Sequence, residues 1–200
     1  MSSAAHFYVN IQRLLPVNLW GNILMTSLTD LSRYSALETL RNGCVVEIRA
    51  IKPEDRDGLL KVVDSASNES FYRRFFSSKR DFSDKEINYF FDVDFVKQVA
   101  LVVVLKEARR SIIIGGGRYI VYQPGCAELA FGVEDSYQGQ GIASAIMRHL
   151  IAIARAAGLD ELHADVLHGN ISMRKVFEKS GLAISITHDQ GVIHVTLRLR

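Results

Sequence analysis

"VEDSYQGQGIASAIMRHLIAIARAAG", residues 133–158, joins a strand-like run to a long helical one through a turn of two glycines and two glutamines. Downstream of the turn, Ile142, Ile146, Leu150, Ile153 and Ala157 recur at spacings of 4, 4, 3 and 4. That period puts them on one face of a helix, and the face must be buried. The first N–H groups of such a helix have no partner within it, and its dipole places partial positive charge there. Gly139 and Gly141 tolerate positive φ and let an incoming group come close to the backbone. Two readings follow: a cradle for a phosphate or pyrophosphate, or a tight glycine turn and nothing more.

Immediately upstream, "CAELAFGVED" (residues 126–135) reads as a strand. Its period of two places the apolar Ala127, Leu129, Phe131 and Val133 on one face, and Glu128, Ala130 and Gly132 on the other. Two very small residues leave room for a ligand beside Glu128. By pattern alone Glu128 is either a solvent-facing carboxylate or a group placed in that room.

Further out, "VVEIRAI" (45–51), "QVALVVVLKE" (98–107) and "SIIIGGGRYIVYQ" (111–123) read as strands. The glycine triplet in the last suggests a bulge or a close approach. Pro53 opens a helix, and residues 68–81 read as a loop or irregular helix. Ser83 and Glu86 form an S-x-x-E box that starts a further helix running to about Asp92. "LHADVL" (162–167) is a strand, "SMRKVFEKS" (172–180) a short helix stopped by Gly181, and the last two strands form a hairpin around Gln190-Gly191. Three consecutive strands in the middle imply antiparallel pairing, and the later strand–helix–strand unit implies a parallel pair. The fold class is therefore α/β with a mixed sheet flanked by helices. Residues 1–40 lack the pattern and read as an extension of uncertain structure, in which Met25 would serve as a start as well as Met1; residues 41–200 are the domain.

A hydrophobic fraction of 48% against 23% charged is that of a globular chain, not a disordered one. A formal charge of +2 with scattered Lys and Arg does not favour nucleic acid as a partner. No run reaches the roughly 18 apolar residues of a membrane span. No signal peptide is expected, since Pro16, Asn18 and Asn22 interrupt the N-terminal apolar patch. Cys44 and Cys126 make neither a metal pattern nor a disulfide framework, which suits a cytoplasmic protein. No metal is expected.

"GQGIAS" is not a dinucleotide fingerprint, because Ser144 stands at the third glycine position, and no Gly-Lys-Ser/Thr of a phosphate loop occurs. Instead "QGQGIA" resembles the Q/R-x-x-G-x-G/A signature of the GNAT N-acetyltransferases, with Gln138, Gly141 and Ala143 on its fixed positions. "ADVLHGNISMRKVFEKSGL" is similar to that family's later strand–helix segment. "LRNGCVVEIRAIKPED", "SNESFYRRFFS" and "CAELAF" resemble the acetyltransferase domain of bacterial protein lysine acetyltransferases, so the likeness covers residues 40–200.

The resemblance implies a mostly antiparallel mixed sheet with its parallel pair at the cofactor cleft. It implies acetyl-CoA as co-substrate, a protein lysine as acceptor, and Glu128 as general base. It also implies a cofactor site made by Phe131, Val133, Gln138, Gly139, Gln140, Gly141, Ile142, Ala143, Ser144 and Asn170. Phe131 and Val133 would act through their amides, and Asn170 would meet the pantetheine arm or serve only as a helix cap. Many family members carry Tyr where this chain has Phe177, which cannot protonate a leaving thiolate. Rival readings are a small-molecule amine acetyltransferase, a non-catalytic acyl-CoA sensor, and a dinucleotide-binding module. His163 and His168 flank one strand end as minor catalytic candidates.

Overall fold

A computed structural model describes residues 30–107 and 110–200. The expected extension, residues 1–40, lies largely outside them. Eight strands form one sheet: β1 (Ser35–Thr39), β2 (Val45–Ala50), β3 (Gln98–Glu107), β4 (Arg110–Gln123), β5 (Cys126–Val133), β6 (Glu161–Leu167), β7 (Ala183–Asp189) and β8 (Val192–Arg198). Their order is β1-β2-β3-β4-β5-β6-β8-β7. The described ladders are antiparallel apart from β5–β6. The mixed sheet with a single parallel pair is thus the one the sequence implies.

β3 shows why the sheet is a central layer. Its odd residues Val99, Leu101 and Val103 join the main core, while Ala100, Val102 and Val104 join a second cluster with Ile51, Leu59 and Phe91. A strand buried on both faces reads as a continuous apolar run. Helix α4 (Ile142–Ala156) covers the first face. Helices α1 (Arg56–Ser65), α2 (Asn68–Phe75) and α3 (Asp84–Phe91) cover the second. Helix α5 (Ile171–Glu178) follows β6.

Ile142, Ile146, Leu150 and Ile153 are buried in α4 as their spacing requires, whereas Ala157 caps the helix in solvent. The glycine triplet serves both expected purposes. The β3–β4 register shifts between Val103 and Val104, leaving Ile114 as the extra residue. A Cβ on Gly117 would lie 2.5 Å from Ile146 Cγ2, and one on Gly116 2.9 Å from the Leu101 carbonyl. Glycine here lets α4 and the neighbouring strands close on β4.

Two features differ from the sequence reading. The sheet begins at Ser35, upstream of the expected boundary at residue 41, because β1 pairs with β2 from Ser35↔Arg49 to Thr39↔Val45. β1 is anchored from the core side: Glu38 accepts from Arg148 and meets His149 Nε2, both at 2.9 Å, and Tyr34 hydrogen-bonds His149. Second, "NESFYRRF" is a regular helix, α2, capped by Ser67 accepting from the Ser70 N–H and closed by Phe76 at φ 53. Phe71, Phe75, Phe82 and Phe90 hold it through a ring cluster. The Ser83–Glu86 capping box forms as expected.

Candidate functional site

β5 and β6 pair only from Cys126↔Glu161 to Glu128↔His163. Beyond Glu128 the two strands part, and a split opens between them. The Glu134 N–H donates to the Ile114 carbonyl on β4 at 3.0 Å. Backbone groups alternate sides along a strand, so Gly132 and Ala130 also point to β4, and Phe131 and Val133 point their amides and carbonyls into the split.

The split runs into a cavity of about 470 Å³. Of the residues expected to bind a cofactor, Phe131, Val133, Gln138, Gly139, Gly141, Ile142, Ala143, Ser144 and Asn170 line it. Glu128 and Gln140 do not. α4 starts at the cavity with no side-chain cap, because its N-cap is Gly141 in the left-handed region at φ 95. Gly139 is also left-handed, at φ 76. The first amides of α4 are thus presented by residues that line the cavity, as an anion would require.

Gln138 and Gln140 use their side chains to brace this loop. Gln138 Nε2 lies 2.9 Å from Asp135 Oδ1, 3.1 Å from Ser70 Oγ and 3.3 Å from the Val133 carbonyl. Gln140 Nε2 donates to the Ser136 carbonyl, and its Oε1 accepts from Asn42 Nδ2 at 2.7 Å. Asp135 also accepts from the Ser67 N–H. A hydrogen bond from Ser70, stronger than the opposing effect of burial, holds the Asp135 carboxyl below the usual range. The loop is therefore fastened to α2 on one side and to the β1–β2 turn on the other.

The same turn contributes a residue the sequence reading missed. A Cβ on Gly141 would sit 3.5 Å from Arg41 Nε, so the Arg41 side chain lies over the helix mouth and lines the cavity. No motif marks Arg41; only the β1–β2 pairing brings it there.

On the opposite face of β5, Glu128 shares a side of the sheet with Arg118 and Gly116, through the pairs Arg118↔Ala130 and Gly116↔Gly132. Glu128 favours the charge on Arg74. Burial pushes the Arg74 guanidinium down to about 10, and Glu128 partly offsets this. Burial, with repulsion from Arg74, pushes Arg118 down to about 10 as well. Arg74 stacks 4.9 Å over Phe75 and Arg118 5.0 Å over Phe90. Both arginines line the cavity and remain charged at neutral pH.

Asn170 is buried and caps α5, its Oδ1 accepting from the Met173 N–H at 3.2 Å. It also lines the cavity. Phe177 is a core residue, its ring 5.9 Å from that of Phe131, while Ser172 lines the cavity. His163 stands beside Glu128 across the ladder. His168 is exposed and near the His188 ring.

Comparisons with known proteins bear on the family and the fold. A family model described as an acetyltransferase (GNAT) domain matches residues 46–183. The acetyltransferase Pat of Mycolicibacterium smegmatis is 33% identical over 156 residues, which cover 77% of this chain and 46% of Pat. The chain therefore spans about half the length of that relative. An acetyltransferase of Pseudomonas aeruginosa is 28% identical over 160 residues, 75% of this chain and 86% of the relative. The crystal structure of the GNAT domain of S. lividans PAT superposes with a TM-score of 0.73 at 32% identity, over 82% of this chain and 96% of that one.

Proposed function

Because the chain belongs to the GNAT acetyltransferase family, we propose that it moves an acetyl group from acetyl-CoA to a protein lysine ε-amine, with Glu128 as general base. The observation that carries this reading is the fork after Glu128. It joins the last β5 residue paired with β6 to a split whose far end is the uncapped, glycine-lined mouth of α4.

The chemistry assigns each part a task. The amides of residues 139–144 would cradle the pyrophosphate, with Arg41 as counter-charge. The exposed backbone edge of Phe131 and Val133 would hold the pantetheine arm as an added strand. A free lysine has a pKa of about 10.4, so at neutral pH only about one in a thousand or fewer is uncharged. Glu128 would take its proton, directly or through water. The amine nitrogen then attacks the thioester carbonyl carbon, the new C–N bond forms, and the C–S bond breaks to release CoA thiolate. A thiol of pKa about 8.5 is a fair leaving group, so the absence of a Tyr hydroxyl at Phe177 does not block the step; Ser172, one of the hydroxyls on the cavity wall, or a water would be able to protonate the thiolate.

The lysine acceptor rests on the likeness of residues 40–200 to bacterial protein lysine acetyltransferases. A cytoplasmic location is proposed with it; among the described residues no helix is long and apolar enough to cross a membrane. The test is incubation with isotopically labelled acetyl-CoA and a cell lysate, followed by mass spectrometry. Label on lysine side chains of particular proteins supports the reading. Label on small amines moves the acceptor to that class, and tight binding without transfer leaves a sensor.

A further inference from the structure

At the root of the fork, four side chains meet on the sheet face that carries Glu128. Cys126 and Glu161 are direct partners in the β5–β6 ladder, and His163 lies two residues beyond Glu161 on the same face. The Cys126 thiol, the Glu161 carboxylate and the His163 imidazole each offer a ligand atom, all within 4.8 Å of one another. His163 Nε2 lies 3.1 Å from Glu161 Oε2, and its Nδ1 lies 3.1 Å from the Tyr122 hydroxyl. The Tyr122 ring packs edge-on to the imidazole, 5.8 Å between centroids.

We propose that Cys126, Glu161 and His163 form a three-ligand site for a borderline-soft divalent cation, Zn2+ above all, at the root of the fork that carries Glu128. Thiolate, imidazole and carboxylate together are the donor set that Zn2+ takes, and three protein ligands leave a fourth position open to water. Tetrahedral Zn2+ with bonds of about 2.0–2.3 Å separates its ligand atoms by roughly 3.3–3.6 Å. The present 3.1 Å from Nε2 to Oε2 needs only a small spread, and a sulfur within 4.8 Å needs only a rotamer adjustment.

The outer contacts fit as well. Nδ1–H donating to Tyr122 would fix the tautomer that frees the Nε2 lone pair, as the second partner of a metal-bound imidazole usually does. Arg198 Nε lies 3.8 Å from Glu161 Oε1, which leaves Oε2 as the oxygen for the metal. The spacing of these residues gives no metal motif in the sequence, because the ligands come from two strands that only the fold brings together.

Binding would displace the thiol proton and the Nε2–Glu161 hydrogen bond. An occupied site would add positive charge beside Glu128, which flanks both Cys126 along β5 and His163 across the ladder. Metal availability would thereby act on the residue proposed as base, although the site itself does not depend on that role.

The experiment is a titration of the metal-free full chain with Zn2+ against a chromophoric chelator, at pH 7.5 and with reductant. One equivalent should bind. Cys126→Ser and His163→Gln should each weaken binding at least tenfold, Tyr122→Phe about tenfold as a lost outer partner, and Cys44→Ser not at all. Co2+ in place of Zn2+ should give a thiolate-to-metal charge-transfer band that Cys126→Ser abolishes. Failure of the parent to bind one equivalent overturns the proposal. So does a Co2+ complex without the thiolate band, or parent-like affinity in Cys126→Ser and His163→Gln. The Co2+ spectrum uses the parent protein, so a variant that fails to fold does not rescue the idea.

Discussion

Glu128 stands across the β5–β6 ladder from His163, and this pair is the last before the strands separate. A carboxylate at that point is held by sheet pairing on both sides, yet the residues just beyond it turn their backbone toward open space. Arg74 is close enough for Glu128 to favour its charge. His163 is engaged with Tyr122 and Glu161, so Glu128 stands at the fork beside a histidine that other side chains already hold.

Replacing Glu128 by Gln keeps its size and most of its hydrogen bonding but removes the proton acceptor. Acetyl-CoA affinity should change little, because the helix mouth and the β5 edge hold the cofactor. Turnover should fall by about 10²–10⁴-fold at neutral pH. The deficit should shrink as pH rises toward the lysine pKa, since more acceptor is already neutral. Steady-state rates across pH test this. Near-parent rates at pH 7 remove Glu128 as the base, and an equal deficit at every pH assigns it to geometry.

Gly141→Val places a side chain at φ 95, a conformation that β-branched residues avoid, and pushes a Cβ toward Arg41. Acetyl-CoA binding should weaken at least tenfold, about 1.4 kcal/mol. Calorimetry on a folded variant checks it; unchanged affinity removes the cradle. In the parent, acetyl-CoA should raise the melting temperature by mass action and NAD should not.

The two ends of this site differ in how visible they are in sequence. The helix mouth was legible because its cause is local: a glycine turn, then a 3.6-residue apolar period from Ile142. The Ser83–Glu86 box and the Gln190-Gly191 turn, both residues at positive φ, are local in the same sense. β1 was not, because "SALET" is a short edge strand whose burial merely alternates between exposed and half-buried. It gains its place from Glu38 and Tyr34 reaching α4. Arg41 was hidden with it. The side-chain ties of Gln138 to Ser70 and of Gln140 to Asn42 were equally hidden, since they join segments 68 and 98 residues apart.

Arg41→Ala tests that hidden contribution. A charge-assisted contact to a pyrophosphate is worth about 1.5–3 kcal/mol, so acetyl-CoA affinity should drop at least tenfold at low salt. The gap should narrow as ionic strength rises, because the guanidinium approaches from the solvent side. Equal affinity for parent and variant in calorimetry would confine Arg41 to packing over Gly141.

The last prediction concerns what holds the cavity's second wall. Arg49 on β2 grips Asp55 with two hydrogen bonds of 2.7 Å each, Nη1 to Oδ2 and Nη2 to Oδ1, and the Lys52 N–H also donates to Oδ2 at 2.8 Å. Asp55 is 7% exposed, so this pair pins the start of α1 to the sheet. Burial alone would raise the Asp55 carboxyl, but the Arg49 and Lys52 bonds outweigh it and hold the group below its usual range. The native state therefore binds this proton less readily than the unfolded chain does. The resulting stabilisation is complete above the unfolded pKa of about 3.9 and is lost as pH falls through the lower native value. Asp55→Asn should destabilise the domain by about 3 kcal/mol at pH 7, since it leaves a half-buried guanidinium without its counter-charge. Denaturation midpoints at pH 7 and pH 3 check both parts. The gap between parent and variant should narrow at the lower pH, because the unfolded parent chain takes up the Asp55 proton more readily than the native state does. A gap that stays constant would mean that shape and neutral hydrogen bonds, not charge, hold α1 in place.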